Sequence, residues 1–167
     1  MDGRFERVEL PQSAGISVFV DYAHTPDAIE NILKSAKGFR QTGQRLVILF
    51  GCGGDRDKTK RAKMGNIASE LADLVIVTSD NSRSEDPMAI IDDILCGMRE
   101  NGNYVVIPDR KTAIEYAVRT ALQGDIILLA GKGHERYEIN AEGRRDFDER
   151  KIVIEAFEKY FGENREN

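Results

Sequence analysis

Apolar positions along this chain alternate between two spacings. Short runs rich in branched aliphatic residues occupy positions 16–20, 46–50, 74–78, 104–107 and 126–130, and they read as strands. The segments between them carry apolar residues at helical spacing. In the first, positions 26–39, Ile29, Ile32, Leu33 and Ala36 share one face. Positions 60–71 read as a second helix. A third has Asp86 as N-cap and Pro87 at its first turn, with Ile90, Ile91, Ile94 and Leu95 facing inward. Asp109 caps a fourth that carries Ala113, Ile114, Ala117, Val118 and Ala121. Residues 137–140 suggest an edge strand or hairpin, and 150–161 a closing helix. The run at 126–130 is apolar without alternation, as in a strand covered on both faces. This alternation of strands and helices predicts an α/β domain on a mostly parallel sheet.

In such sheets ligands bind beyond the carboxyl ends of the strands. The polar clusters of the chain fall at those ends: "DYAHTP", "GCGGDRD", "SDNSR" and "GKGHE" each follow a predicted strand. Four loops are therefore expected to meet at one cleft. Each cluster also has a plain structural reading. Thr25 can cap the helix that Pro26 starts, which leaves Asp21 and His24 without a role. Asp55-Arg56-Asp57 can be a solvated ion cluster, and residues 80–83 a polar turn. The glycines at 51, 53 and 54 permit close approach of a ligand, and a turn alone needs only one of them.

Composition removes several alternatives. The 167 residues suit a single domain, expected over 1–162 with a frayed tail at 163–167. A net charge of −5, with basic residues interleaved among acids, argues against nucleic acid as a partner. Cys52 and Cys96 stand far apart without a paired neighbour, so two reduced thiols are expected and no zinc site. No apolar run reaches the length of a membrane span, and a cytoplasmic protein is expected. The two histidines lack neighbours at ligand spacing, so no metal site is expected from this chain. A phosphate-binding loop also fails: counting from Gly51 places Arg56 at the second glycine, with Asp57 directly before Lys58.

Four blocks, "VDYAHTPDAIENIL", "FGCGGDRDKTKRAKMGNIA", "ADLVIVTSDNSRSEDPMAIIDDI" and "GDIILLAGKGHERYEI", resemble the C-terminal domain of the Mur ligases. The resemblance extends from "GRFERV" at residue 3 to the final helix. It implies a Rossmann-like three-layer domain with about six strands, mostly parallel, and one antiparallel edge strand. It further implies an ATP-dependent amide ligase of peptidoglycan synthesis. There ATP phosphorylates a carboxyl group of UDP-N-acetylmuramoyl-dipeptide, and the amine of meso-diaminopimelate displaces phosphate. By the same resemblance Arg56, Asp80, Asn81, Ser82, Arg83, Gly131 and Glu135 bind meso-diaminopimelate, while Arg4, Asp21, His24 and Thr25 approach the nucleotide. The N-terminal and central domains are the implied partners; the central one is expected to hold the phosphate loop and the Mg2+ ligands. The chain alone is thus expected to be inactive. Ser82 stands where the family motif Asp-Asn-Pro-Arg has proline. A ligase for lysine or glutamate, or a non-enzymatic module binding a nucleotide or amino acid, are the alternatives.

Overall fold

The computed structural model describes residues 4–162; the expected tail at 163–167 lies outside them. The strands are β1 (Glu6–Arg7), β2 (Ser17–Asp21), β3 (Leu46–Phe50), β4 (Leu74–Val77), β5 (Tyr104–Val106), β6 (Ile126–Ala130), β7 (Tyr137–Asn140) and β8 (Gly143–Asp146). The helices are α1 (Pro26–Phe39), α2 (Thr59–Leu71), α3 (Pro87–Leu95), α4 (Arg110–Arg119) and α5 (Glu149–Phe161). Six strands form one sheet in the order β1-β2-β6-β3-β4-β5, parallel except for β1.

The strand period of two divides the core into two layers. Leu46, Ile48 and Phe50 face α1, α2 and α3, whereas Val47 and Leu49 face α4 and α5. Both faces are covered, which is why β3 and β6 are buried along their whole length. The helix starts follow their caps. Thr25, Asp86, Asp109 and Asp148 each accept a backbone N–H from the first turn. The expected α/β architecture is therefore present, three layers deep.

One detail departs from the sequence reading, and another resolves an alternative that it left open. The antiparallel edge is Glu6–Arg7, whose side chains are both exposed, so no alternation announces it. Residues 137–140 pair with β8 as a separate two-stranded hairpin outside the main sheet.

Candidate functional site

Strands β2, β6, β3 and β4 are consecutive in the sheet, so the four polar loops that follow them are neighbours in space. They enclose a cleft of about 410 Å³. His24 and Thr25 line it from the loop after β2, Gly53 and Arg56 from that after β3. Asp80, Asn81 and Arg83 come from the loop after β4, and Gly131 and Glu135 from that after β6.

The loops hold one another through backbone contact. A Cβ on Gly54 would overlap the Ser82 carbonyl, and the Gly54 N–H donates to the Asn81 carbonyl at 2.8 Å. Close approach at Gly54 thus serves the neighbouring loop and not a ligand, which refines the expectation for the glycine cluster. Gly131 has φ +117°, and a Cβ there would meet the Asp80 carboxylate. Asp55 accepts from the Ser84 hydroxyl at 2.6 Å, and its own N–H donates to Glu85. Arg61, buried, grips Glu85, Asp93 and the Gly53 carbonyl. The Arg61 hydrogen bond holds the Glu85 carboxyl far down, to about 2. Asp55 therefore has a structural role, holding Ser84 in the loop after β4 by hydrogen bonds in place of the solvated ion cluster of the plain reading, while Arg56 beside it is exposed and lines the cleft.

The predicted site residues separate by what their polar atoms already do. Arg83 donates Nη1 to the carbonyls of Gly54 (3.0 Å) and Asn81 (3.3 Å). Among the described residues, none accepts from its Nε or Nη2. That edge of the guanidinium has the geometry to fork onto a carboxylate. Arg56 spends Nη1 on the Asp55 carbonyl at 3.0 Å. Glu135 accepts the Tyr22 hydroxyl at 2.9 Å through Oε1; that carboxylate raises the tyrosine's pKa, mainly by the hydrogen bond. Asp80 is buried, with Oδ1 accepting the Asn81 N–H at 2.8 Å and lying 3.3 Å from Lys132 Nζ. Ser82 is buried and lies outside the cleft lining. Of the four residues assigned to the nucleotide, Thr25 caps α1 and lines the cleft. His24 lines it as well, with Nδ1 against the Tyr22 carbonyl at 2.7 Å. Asp21 sits behind the cleft, its oxygens accepting the N–H groups of Phe5 and Ala23, both at 2.7 Å. Arg4 is exposed ahead of β1 and is not part of the lining.

Sequence reasoning missed the buried cations below the cleft. Arg110 and Lys132 are both fully buried. Arg110 donates to the carbonyls of Ser79 (3.1 Å) and Ala130 (2.8 Å) and to Glu149 at 2.9 Å. It ties the ends of β4 and β6 together at the point where the site loops begin. A charged residue at a helix start gives no sequence signal for such a role. Cys52 lines the cleft, and burial pushes its thiol up to about 12, so it stays protonated and unreactive.

A family profile described as "Mur ligase, glutamate ligase domain" matches residues 3–133. The chain belongs to the Mur ligase C-terminal domain family. Curated relatives agree. The UDP-N-acetylmuramoyl-L-alanyl-D-glutamate–2,6-diaminopimelate ligase of Trichormus variabilis is 55% identical over 148 residues, covering 89% of this chain and 29% of that protein. The ligase of the same name from Clostridium perfringens is 49% identical over 156 residues, covering 93% and 32%. A solved structure of a ligase with this name superposes with TM-score 0.86 at 39% identity, over 95% of this chain and 32% of that one. The chain thus spans about a third of the length of these ligases. Among the described residues no helix is long and apolar enough to cross a membrane. Nor do three or more His, Cys, Asp or Glu side chains gather there as a metal site.

Proposed function

We propose that this Mur ligase domain receives meso-diaminopimelate for an ATP-dependent ligase that joins it to UDP-N-acetylmuramoyl-L-alanyl-D-glutamate in the cytoplasm. The observation that carries the reading is the set of uncommitted polar edges in one cleft. Arg83 offers Nε and Nη2 to a carboxylate, and Glu135 offers an acceptor to an ammonium. Arg56, from another loop, suits the carboxylate beside the attacking amine. Diaminopimelate carries an ammonium and a carboxylate at each end; lysine lacks the distal carboxylate and would leave the Arg83 fork without a partner.

The work of the domain is orientation. Fixing both ends of the amino acid presents one amine to the acyl phosphate, so that the C–N bond forms as phosphate leaves. The ammonium gives up one proton to solvent before it attacks and a second as the amide forms, which the departing phosphate takes away. Mg2+ supplies charge neutralisation at the transferred phosphate; its ligands are assigned to the central domain of the ligase, as are those for most of ATP. Thr25 and His24, which line the cleft, are assigned to its nucleotide side on the strength of the family resemblance; Asp21 and Arg4 lie outside the lining, and their assignment to the nucleotide rests on that resemblance alone.

Calorimetric titration of meso-diaminopimelate and L-lysine tests the reading. The wild type should prefer meso-diaminopimelate by roughly a hundredfold or more, since sites built for a polar group reject analogues lacking it. Arg83→Ala should erase most of that preference. Equal affinities in the wild type, or an unchanged ratio in the variant, would refute the assignment.

A further inference from the structure

Asn81 lines the cleft, yet its carboxamide is held from behind. Its Oδ1 accepts two hydrogen bonds, from Lys132 Nζ at 3.0 Å and from the Ile139 N–H at 3.0 Å. Both partners can only donate, an ammonium and a backbone amide. This decides the carboxamide's orientation by chemistry: the oxygen points to Lys132 and β7, and the NH2 is left on the other side. Among the described residues, none accepts from that NH2. Neither is it one of the buried polar atoms without a partner, so it has access to solvent.

Lys132 is bound in turn. Its Nζ donates to the Tyr137 carbonyl at 3.0 Å, lies 3.3 Å from Asp80 Oδ1, and sits 5.5 Å over the Phe147 ring. The Arg83 N–H donates to the Ile139 carbonyl at 3.2 Å. One residue of the hairpin, Ile139, therefore brackets the loop after β4 from both sides. The hairpin lies beyond residue 133, where the family-wide match ends.

We propose that Lys132 is a positioning residue for the amino-acid cleft. Together with the Ile139 N–H it locks the Asn81 carboxamide with only its NH2 toward the ligand, making Asn81 an obligate donor beside Arg83. The element that sets this orientation is the β7–β8 hairpin, to which Lys132 anchors the loop. The ligand group so read is an acceptor such as a carboxylate; that part rests on the amino-acid reading given above, whereas the locked carboxamide does not.

The test uses two variants of the chain. Amide hydrogen exchange of Lys132→Met should show protection at Ile139 and Arg83 falling by about tenfold or more, with the amides of β3 and β6 unchanged. A uniform loss across the chain, or no loss at Ile139 and Arg83, overturns the lock. Asn81→Asp keeps the inward oxygen that accepts both hydrogen bonds and gains a charge partner in Lys132, but it has no NH2. It should retain protection at Ile139 while losing meso-diaminopimelate affinity by at least about tenfold. If affinity survives along with protection, the donor role is wrong. If the wild type fails to bind meso-diaminopimelate at all, the amino-acid reading falls, and the exchange data still decide the lock.

Discussion

The two ends of the parallel sheet use the same residue types to opposite effect. At the amino end, Arg45 forks onto Asp125 with bonds of 3.2 and 2.8 Å, and Asp125 also accepts the Leu122 N–H. Asp73 there takes both Arg40 and the Leu46 N–H. These carboxylates and guanidinium groups are turned on one another and on the backbone. At the carboxyl end, Arg83, Asn81 and Glu135 are each secured through one edge, with another edge left over toward the cleft. Composition does not distinguish the two ends. What marks the binding cluster is that its uncommitted edges come together in one cleft.

The most severe test of this contrast is Arg110. It lies at the carboxyl end, but its bonds to Glu149, Ser79 and Ala130 commit all three of its nitrogens. It should therefore behave as a stabilising residue. Arg110→Met strands the buried Glu149 carboxylate and should cost about 3–5 kcal/mol, read from denaturant unfolding. A loss below about 1 kcal/mol would break the rule that saturation marks structural residues.

A matched pair of substitutions sharpens it. Arg45→Ala leaves the buried Asp125 without its ion partner and should cost about 2–3 kcal/mol while leaving meso-diaminopimelate affinity unchanged. Arg83→Ala gives up only contacts to two carbonyls and should cost about 1 kcal/mol, with the ligand preference lost. Thermal or chemical unfolding alongside calorimetry reads both quantities. Reversed rankings would mean that the cleft arginine is the structural one.

The smallest effect concerns pH. The Arg61 hydrogen bond holds Glu85 at about 2, against 4.5 for an unperturbed glutamate. A depressed folded pKa gives stabilisation that is complete above the unfolded value and is lost as pH falls toward the folded one. The attachment of Glu85 to Arg61 and the Asp55 N–H should persist at pH 4 and release only on the way down to about 2. A carboxyl NMR titration of Glu85 with its midpoint near 4.5 would show a solvated surface pair instead.

Much of this was legible along the chain. Five strands and the helices after them were visible because the buried central strands carry unbroken apolar runs, the outer ones are short and rich in branched residues, and the helices keep helical spacing. The convergence of four loops followed from the same pattern, since parallel strands bring their carboxyl ends to one side. Thr25, Asp86 and Asp109 marked helix starts because capping is a contact between residues two or three apart. The two-residue strand β1 left no mark, because Glu6 and Arg7 are both exposed and show no apolar alternation.

The division of labour within the polar loops was a tertiary matter. Asp55 and Arg56 are adjacent in sequence, yet Asp55 is bound to Ser84 and Arg56 lines the cleft. Asn81 has its carboxamide orientation set by Lys132 and Ile139, 51 and 58 residues further along. Sequence determined which groups could bind, because chemistry resides in the side chain. The tertiary structure decided which of them are left free to do so, because partners the fold brings from afar, such as Lys132 and Ile139 at Asn81, consume or spare the edges that local contacts leave.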